Sequence, residues 1–348
     1  MSIEKFKIGI IGATGYAGVE LLRLLLAHPF VEVAAVASQS FTGKPISDVY
    51  PSLFNICDKI CVSNEEVIAK SDVVFAAVPS GISQELAAQC IQNKCIFIDL
   101  GADFRLDSEE EYTEWYGGKY LFPGLHEAAV YGLPELFRHE MTGKVLVGNP
   151  GCYPTASALA LAPALKAGLI ETQGIVIDAK SGVSGAGRSL TQTTHFIDVN
   201  ENFNAYKAGV HRHTPEIEQS LSKVAGRGVR ITFVPHLLPV SRGILATCYA
   251  KATLACSEKT LRNAYENCYG DEPFIRLLPS DKEACIRNVT LSNYCDISIH
   301  FVERSQTVVI TSAIDNMIKG AAGQAIQNMN ILLSMPETMG LQMVPNAF

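Results

Sequence analysis

The side chains with chemistry in them gather around one cysteine. Asn149-Pro150-Gly151-Cys152-Tyr153-Pro154-Thr155 stands between a short apolar run, Val145–Val147, and an Ala/Leu-rich stretch, Thr155–Lys166, that reads as a helix. A thiol at a helix start feels the positive end of the helix dipole and its unpaired amides, and both favour thiolate over thiol. The same amides can stabilise an oxyanion on a carbonyl bonded to sulfur. A single cysteine is more often a small buried hydrophobe. That reading suits Cys57, Cys61, Cys90, Cys95, Cys248, Cys256, Cys268, Cys285 and Cys295, none of which has such a setting. Pro150 and Gly151, which fix the turn, make Cys152 the candidate nucleophile.

A thiolate nucleophile needs an acid/base partner. His211-Arg212-His213-Thr214-Pro215-Glu216 offers two imidazoles around a guanidinium in a chain with 8 histidines. Alternate residues share a direction only in extended backbone, and Pro215 marks the first turn of a helix. A basic cap on that helix is the competing reading. Two further segments can hold an anion. Ser181-Gly182-Val183-Ser184-Gly185-Ala186-Gly187-Arg188 packs hydroxyls, flexible amides and a guanidinium into one loop, fit for a phosphate. Pro235–Gly243 brings Arg242 to the start of a strand. Asp103 and Arg105 form a third candidate or a local ion pair.

A reacting thiolate gains meaning from a cofactor site. Gly12-Ala13-Thr14-Gly15-Tyr16-Ala17-Gly18 closes the run Lys7–Ile11 and opens an apolar stretch, Val19–Leu26. Glycines there allow a tight turn and let backbone amides approach a pyrophosphate at the helix start. NAD enzymes usually end the second strand on a carboxylate for the ribose hydroxyl. Val31–Ala37 ends instead on Ser38-Gln39-Ser40, with Thr42 and Lys44 following. Hydroxyls and a cation suit a 2′-phosphate, so NADP is expected, although Lys44 could equally be a solvated side chain.

These sites need elements to carry them. The first half alternates strand and helix: Lys7–Ile11, Val19–Leu26, Val31–Ala37, Val73–Val78, Gln84–Gln92, Cys95–Leu100 and Val145–Val147. That is an α/β unit of doubly wound type. Beyond Cys152 the strands Gly174–Ala179, Val229–Val234, Gly243–Ala252, Cys295–Val302 and Gln306–Ala313 lie too close together for helical crossovers throughout. A mixed or antiparallel sheet is expected there, hence an α+β second domain. Asn316–Leu333 reads as a long helix rich in small residues.

With 348 residues the chain has room for two domains. Its formal net charge is −7 and no basic stripe is present, which argues against nucleic acid as a partner. No stretch is long and apolar enough for a bilayer, and the N-terminus has no signal-peptide pattern, so the cytoplasm is expected. The Asn288-Val289-Thr290 sequon then carries no meaning. No cysteine pair has Cys-x-x-Cys or zinc-like spacing, so no metal is expected.

Taken together the chain resembles the N-acetyl-γ-glutamyl-phosphate reductases of arginine biosynthesis over nearly its whole length. The resemblance rests on Gly12–Gly18, Gly148–Thr155, Ser181–Arg188, His211–Ile217, Val240–Gly243 and Asp315–Gln324. The first motif alone is shared with aspartate-semialdehyde dehydrogenase. The resemblance implies a Rossmann-type NADP-binding domain (1–151 with 316–348) and an inserted α+β catalytic domain (152–315) like that of glyceraldehyde-3-phosphate dehydrogenase. It implies an acyl-phosphate reductase in which Cys152 is the nucleophile and His213 the acid/base, with His211 beside it. Gly12, Thr14, Gly15, Tyr16, Gly18, Ser38, Ser40, Lys44, Pro79, Ser181, Gly182 and Asn316 would line the cofactor. Asn149, Ser184, Gly185, Arg188, Arg105, Glu216 and Arg242 would face the substrate and phosphate. A homo-oligomer, tetramer or dimer, is expected. Three other readings remain: aspartate-semialdehyde dehydrogenase, usually with another histidine motif; a lysine-pathway reductase of a carrier-linked substrate, which would need a basic docking surface; and a non-catalytic NADP-binding redox sensor.

Overall fold

The computed structural model describes residues 5–347, which divide by their contacts into two units, 5–150 with 321–342 and 151–320 with 343–347. In the first unit seven parallel strands run in the order β3-β2-β1-β4-β5-β7-β6. They are β1 (Phe6–Ile11), β2 (Val31–Ala37), β3 (Cys61–Val62), β4 (Val73–Ala76), β5 (Ile96–Asp99), β6 (Val130–Tyr131) and β7 (Leu146–Gly148). Helices α1 (Tyr16–Leu26), α2 (Asn64–Ala69) and α3 (Ser83–Gln92) cross between them. The central strands are covered on both faces, so they read as continuous β-branched runs rather than alternating ones. β1 neighbours both β2 and β4, and the connections leave it in opposite directions. That switch point, at the carboxyl ends of the strands, is where doubly wound sheets bind ligands.

The second unit holds a seven-stranded mixed sheet in the order β12-β13-β14-β11-β8-β10-β9. Its strands are β8 (Ile175–Gly182), β9 (Asn204–Ala205), β10 (Ile231–Leu238), β11 (Ile244–Lys251), β12 (Ile275–Leu277), β13 (Cys295–Val302) and β14 (Thr307–Ile314). β8–β10 and β12–β13 pair parallel and the other neighbours antiparallel, the mixed sheet expected from the short connections. Helix α4 (Cys152–Lys166) lies on β11 and β14, flanked by α5 (Thr214–Ala225) and α6 (Glu258–Tyr269). Thirteen of its fifteen residues are buried, which is why its sequence is apolar all round. Pro163 interrupts this helix and leaves the Leu159 carbonyl without its N–H donor. Tyr269 repairs the gap by donating its hydroxyl to that oxygen at 2.8 Å, and Tyr265 does the same for Ala160.

The expected tail helix begins with one π-turn, Ile318–Ala322, before α7 (Gly323–Leu332). Asp315 and Asn316 and the π-turn up to Gly320 belong to the second unit, a few residues off the boundary expected at 316. Their hydrogen bonds to Leu291, Gly243 and Ser184 explain it. α7 belongs to the first unit and buries amides rather than hydrocarbon alone. Gln327 donates to Glu135, Asn328 to the Gly132 carbonyl and the Asn149 side chain, and Asn330 to the carbonyls of Glu337 and Met339. Buried amides are tolerable when bonded in this way. No helix among the described residues is long and apolar enough to cross a membrane.

Candidate active site

The glycine-rich turn has the geometry a dinucleotide requires. Gly12 sits at φ +81°, and a Cβ on Gly18 would lie 2.2 Å from the Gly12 carbonyl oxygen. Only glycine lets helix and strand approach so closely. α1 starts at Tyr16 with Gly15 as its cap and no side-chain cap on its first turn, the kind of helix start that can take a phosphate. Thr14 and Ser38 bond hydroxyl to hydroxyl at 2.6 Å, both buried, which joins this turn to the end of β2. Ser40 and Lys44 stand exposed beyond it, and Pro79 is exposed after β4.

Asn149 and Arg105 meet at the carboxyl end of the same sheet. The Arg105 guanidinium donates to the carbonyls of Asn149 and Leu100, both at 2.8 Å, and the Asn149 amide donates to the Ala321 carbonyl at 3.2 Å. Asp103 is occupied by the amides of Gly81 and Ser83 and the hydroxyl of Tyr112. Asp99, which spacing did not mark, ends β5 fully buried. Burial and the Asp103 charge push its carboxyl up to about 6, although Ser83 and Gly101 donate to one of its oxygens.

In the second unit Cys152 is the first residue of α4, three residues earlier than the sequence pattern placed the helix. Gly151 caps that helix, and its own amide donates to the buried Glu216 carboxylate at 2.8 Å. Glu216 therefore stands behind the turn that carries Cys152, tying it to the first turn of α5. At the other side of Cys152 the π-turn comes so close that a Cβ on Gly320 would lie 2.7 Å from the Cys152 Cβ. Asp315 anchors that turn: its carboxylate takes the amides of Met317, Ile318 and Leu291 and pairs with Arg242 at 3.4 Å.

His211 and His213 lie in a turn, not in extended backbone, yet their ring centroids are 4.9 Å apart. The backbone N–H of His213 donates to His211 Nδ1 at 3.1 Å, which fixes that nitrogen as an acceptor. Burial, then the cations of Arg212 and Lys207, push His211 down to about 4. His211 is thus a neutral, buried ring, and His213 is the more exposed of the two. The Tyr153 and Tyr206 hydroxyls, 3.0 Å apart, stand beside this pair, with both rings edge-on to His211. Burial raises both phenols, Tyr206 to about 12.

The Ser181–Arg188 loop closes β8. Val183–Ala186 forms one 3-10 turn, and the amides of Gly182, Val183 and Ser184 bond to the carbonyls of Gly243, Val240 and Ser241. Asn316 accepts from the Gly243 amide and donates to the Ser184 hydroxyl, so it ties the loop to β11. The Ser181 hydroxyl is turned onto the Gly182 carbonyl, while Gly185 and Arg188 are exposed. Tyr206, Asp315 and Gly320 gave no spacing signal, except that an Asp just before a helical run is a recognisable cap. Among the described residues no group of His, Cys, Asp and Glu is arranged to hold a metal ion.

Comparison with known proteins places these two units. Residues 7–144 match the semialdehyde dehydrogenase NAD binding domain, and 152–316 match the semialdehyde dehydrogenase dimerisation domain. The N-acetyl-gamma-glutamyl-phosphate reductase of Clostridium botulinum (strain Eklund 17B / Type B) is 52% identical over 342 residues, covering 98% of this chain and 99% of that one. Its counterpart in Brachyspira hyodysenteriae is 49% identical, with 98% and 99% covered. The chain belongs to the N-acetyl-gamma-glutamyl-phosphate reductase family. It is an oxidoreductase, and its second unit is of a kind that assembles. The fold is shared more widely. Aspartate semialdehyde dehydrogenase II from Vibrio cholerae superposes with a TM-score of 0.71 at 17% identity, over 95% of this chain and 99% of that one. The Candida albicans enzyme, solved with NADP, gives 0.67 at 16% identity, over 94% and 98%.

Proposed function

We propose that this chain reduces N-acetyl-L-glutamyl 5-phosphate to N-acetyl-L-glutamate 5-semialdehyde and phosphate, with NADPH as reductant, in arginine biosynthesis. The observation that supports it most is Cys152 at the first position of α4, with its cap held by a buried carboxylate. The thiolate attacks the acyl carbon, a C–S bond forms, and the acyl–oxygen bond breaks to release inorganic phosphate. The Ser181–Arg188 loop would receive that phosphate through the exposed Arg188 and Gly185 and the Ser184 hydroxyl. First-turn amides of α4 would stabilise the oxyanion. When bound, the nicotinamide supplies the hydride that reduces the thioester carbon, and His213 gives the proton that completes the thiohemiacetal hydroxyl. His213 then takes the hydroxyl proton as the C–S bond breaks, the aldehyde leaves and the thiolate returns. Such proton handling is typically worth about 10²–10⁴-fold in rate. His211, neutral and buried, orients His213.

The cofactor would lie on Gly12, Thr14, Gly15, Tyr16 and Gly18, with Pro79 near it; the family resemblance adds Ser181, Gly182 and Asn316. Exposed Ser40 and Lys44 at the end of β2, where a carboxylate would repel a 2′-phosphate, favour NADP over NAD. Asn149, Arg105, Glu216 and Arg242 hold backbone and buried charge, and serve substrate by shaping its surroundings. A cytoplasmic location fits a soluble biosynthetic reductase of this kind.

The test is phosphate-dependent reduction of NADP⁺ and of NAD⁺ by N-acetylglutamate 5-semialdehyde, run beside aspartate semialdehyde. Turnover is expected with the acetylated substrate and NADP⁺, and Cys152→Ser is expected to abolish it. Equal use of aspartate semialdehyde would point to that dehydrogenase instead. Cofactor binding without turnover would point to a sensor, and a normal rate in Cys152→Ser would sink the thioester scheme.

A further inference from the structure

After β4 the chain turns into α3 through Pro79, Ser80, Gly81 and Ile82, and no side chain of that turn holds its backbone at the helix start. Ile82 caps α3 without a side-chain bond, whereas Ser63 caps α2 with its own hydroxyl. Two carboxyls supply what is missing, one ending β5 and the other four residues beyond. Asp103 takes the Gly81 amide on one oxygen at 2.7 Å and the Ser83 amide on the other at 2.9 Å. The Tyr112 hydroxyl donates to it at 2.7 Å and so fixes its orientation. Asp99 takes the Ser83 hydroxyl at 2.6 Å and the Gly101 amide at 2.8 Å on one oxygen. Its other oxygen is buried with no hydrogen-bond partner among the described residues. Both side chains are fully buried. Taking two neighbouring carboxyls out of water is costly, and the rise of Asp99 to about 6, from burial and then the Asp103 charge, reflects that cost. A turn that had only to start a helix is capped at far less cost by a Ser, Thr or Asp of its own.

Resting on the dinucleotide reading of this unit, we propose that Asp103 and Asp99 are positioning residues that fix this turn under the nicotinamide half of the cofactor. Where a dinucleotide crosses such a switch point, the end of β2 takes the adenosine ribose and the glycine-rich turn takes the pyrophosphate. β4 lies on the other side of β1 from β2, so the remaining half extends over the turn that follows β4. That turn leaves Pro79, Gly81 and Ile82 exposed, while Ser83 and Gln84 are pinned inside. An apolar lip on a fixed backbone suits a flat ring whose reactive carbon must be held still, since small displacements of a reacting group cost large factors in rate.

The test compares Asp103→Asn, which keeps one acceptor oxygen and loses the other, with the parent. The probes are NADPH with 2′-phospho-ADP-ribose, or NADH with ADP-ribose, whichever pair the parent binds; each second member lacks the nicotinamide. Asp103→Asn is expected to bind the fragment within about twofold of the parent, as for a distant site. The emission of the bound reduced cofactor, which reports the surroundings of the ring without turnover, is expected to move toward that of the free cofactor. With it kcat is expected to fall at least about tenfold. Equal weakening of fragment and dinucleotide would assign the carboxyls to the fold of the unit alone, and would overturn the proposal. Parent-like emission with parent-like kcat would overturn it too. Ser83→Ala covers the case of an Asp103 variant that fails to fold. It removes only the hydroxyl that Asp99 holds, so the same shift in emission is expected in smaller measure, and its absence would overturn the proposal. A parent that binds neither NADPH nor NADH would overturn the dinucleotide reading, and the positioning role with it.

Discussion

The two imidazoles of the His211–His213 turn are chemically unequal, because one is buried and already spends its Nδ1 on the other's amide. His213→Asn is therefore expected to lower kcat by about 10²–10⁴-fold and to remove the limb of the pH–rate profile that its ionisation produces. His211→Asn should cost much less and leave that limb in place; the paired pH profiles decide. Stability should report on His211 from the opposite direction. Its pKa is pushed from the ordinary histidine range down to about 4, so the unfolded chain binds the proton more tightly than the folded one. The stability its neutral form contributes is fully present above ~6.5, the unfolded value, and is lost as pH falls toward 4. Urea midpoints measured at ~7 and ~5 should separate in the parent and draw together in His211→Asn.

At the scale of elements, Cys152 is held by a helix on one side and a π-turn on the other. Glu216→Ala would leave the Gly151 amide buried and unpaired, a cost of about 1–3 kcal/mol, or a few degrees in Tm. Glu216→Gln keeps an acceptor oxygen and should recover most of it in the same thermal scan. Gly320→Ala acts on geometry. Its Cβ would meet the Cys152 Cβ at 2.7 Å, so Cys152 or the π-turn must shift. A displacement of this size should lower kcat at least tenfold, while NADP affinity by titration stays near the parent's. Much of this frame was legible beforehand. The longer strands of both sheets announce themselves as β-branched runs, whereas β3, β6, β9 and β12, of two or three residues each, are too short to carry a pattern; Cys152 stands out because Pro150-Gly151 precedes an Ala-rich helix. The links were not legible, because Glu216 meets Gly151 across 65 residues of chain and only tertiary packing sets that distance. Asp315 shows the middle case. Its capping chemistry was visible, but the π-turn it caps was hidden in a run that spells an ordinary helix.

For the whole molecule, the match of residues 152–316 to a dimerisation domain has a consequence for catalysis, because the same residues carry Cys152, His211 and His213. The segment between Arg188 and His211 is the covalent span between the loop proposed for the leaving phosphate and the turn proposed for proton transfer. An assembly that steadies this unit would leave both loops with more freedom in the isolated chain. Holding catalytic groups in place accounts for a large part of the rate, so that freedom should show in turnover. Specific activity is expected to fall as the protein is diluted through its assembly range, and to return on reconcentration, as mass action requires. Initial rates per chain measured over a ~1,000-fold dilution, beside sedimentation of the same samples, supply the comparison. Activity that stays constant while the assembly comes apart would mean that the two loops hold their geometry without a partner, and that assembly serves stability alone.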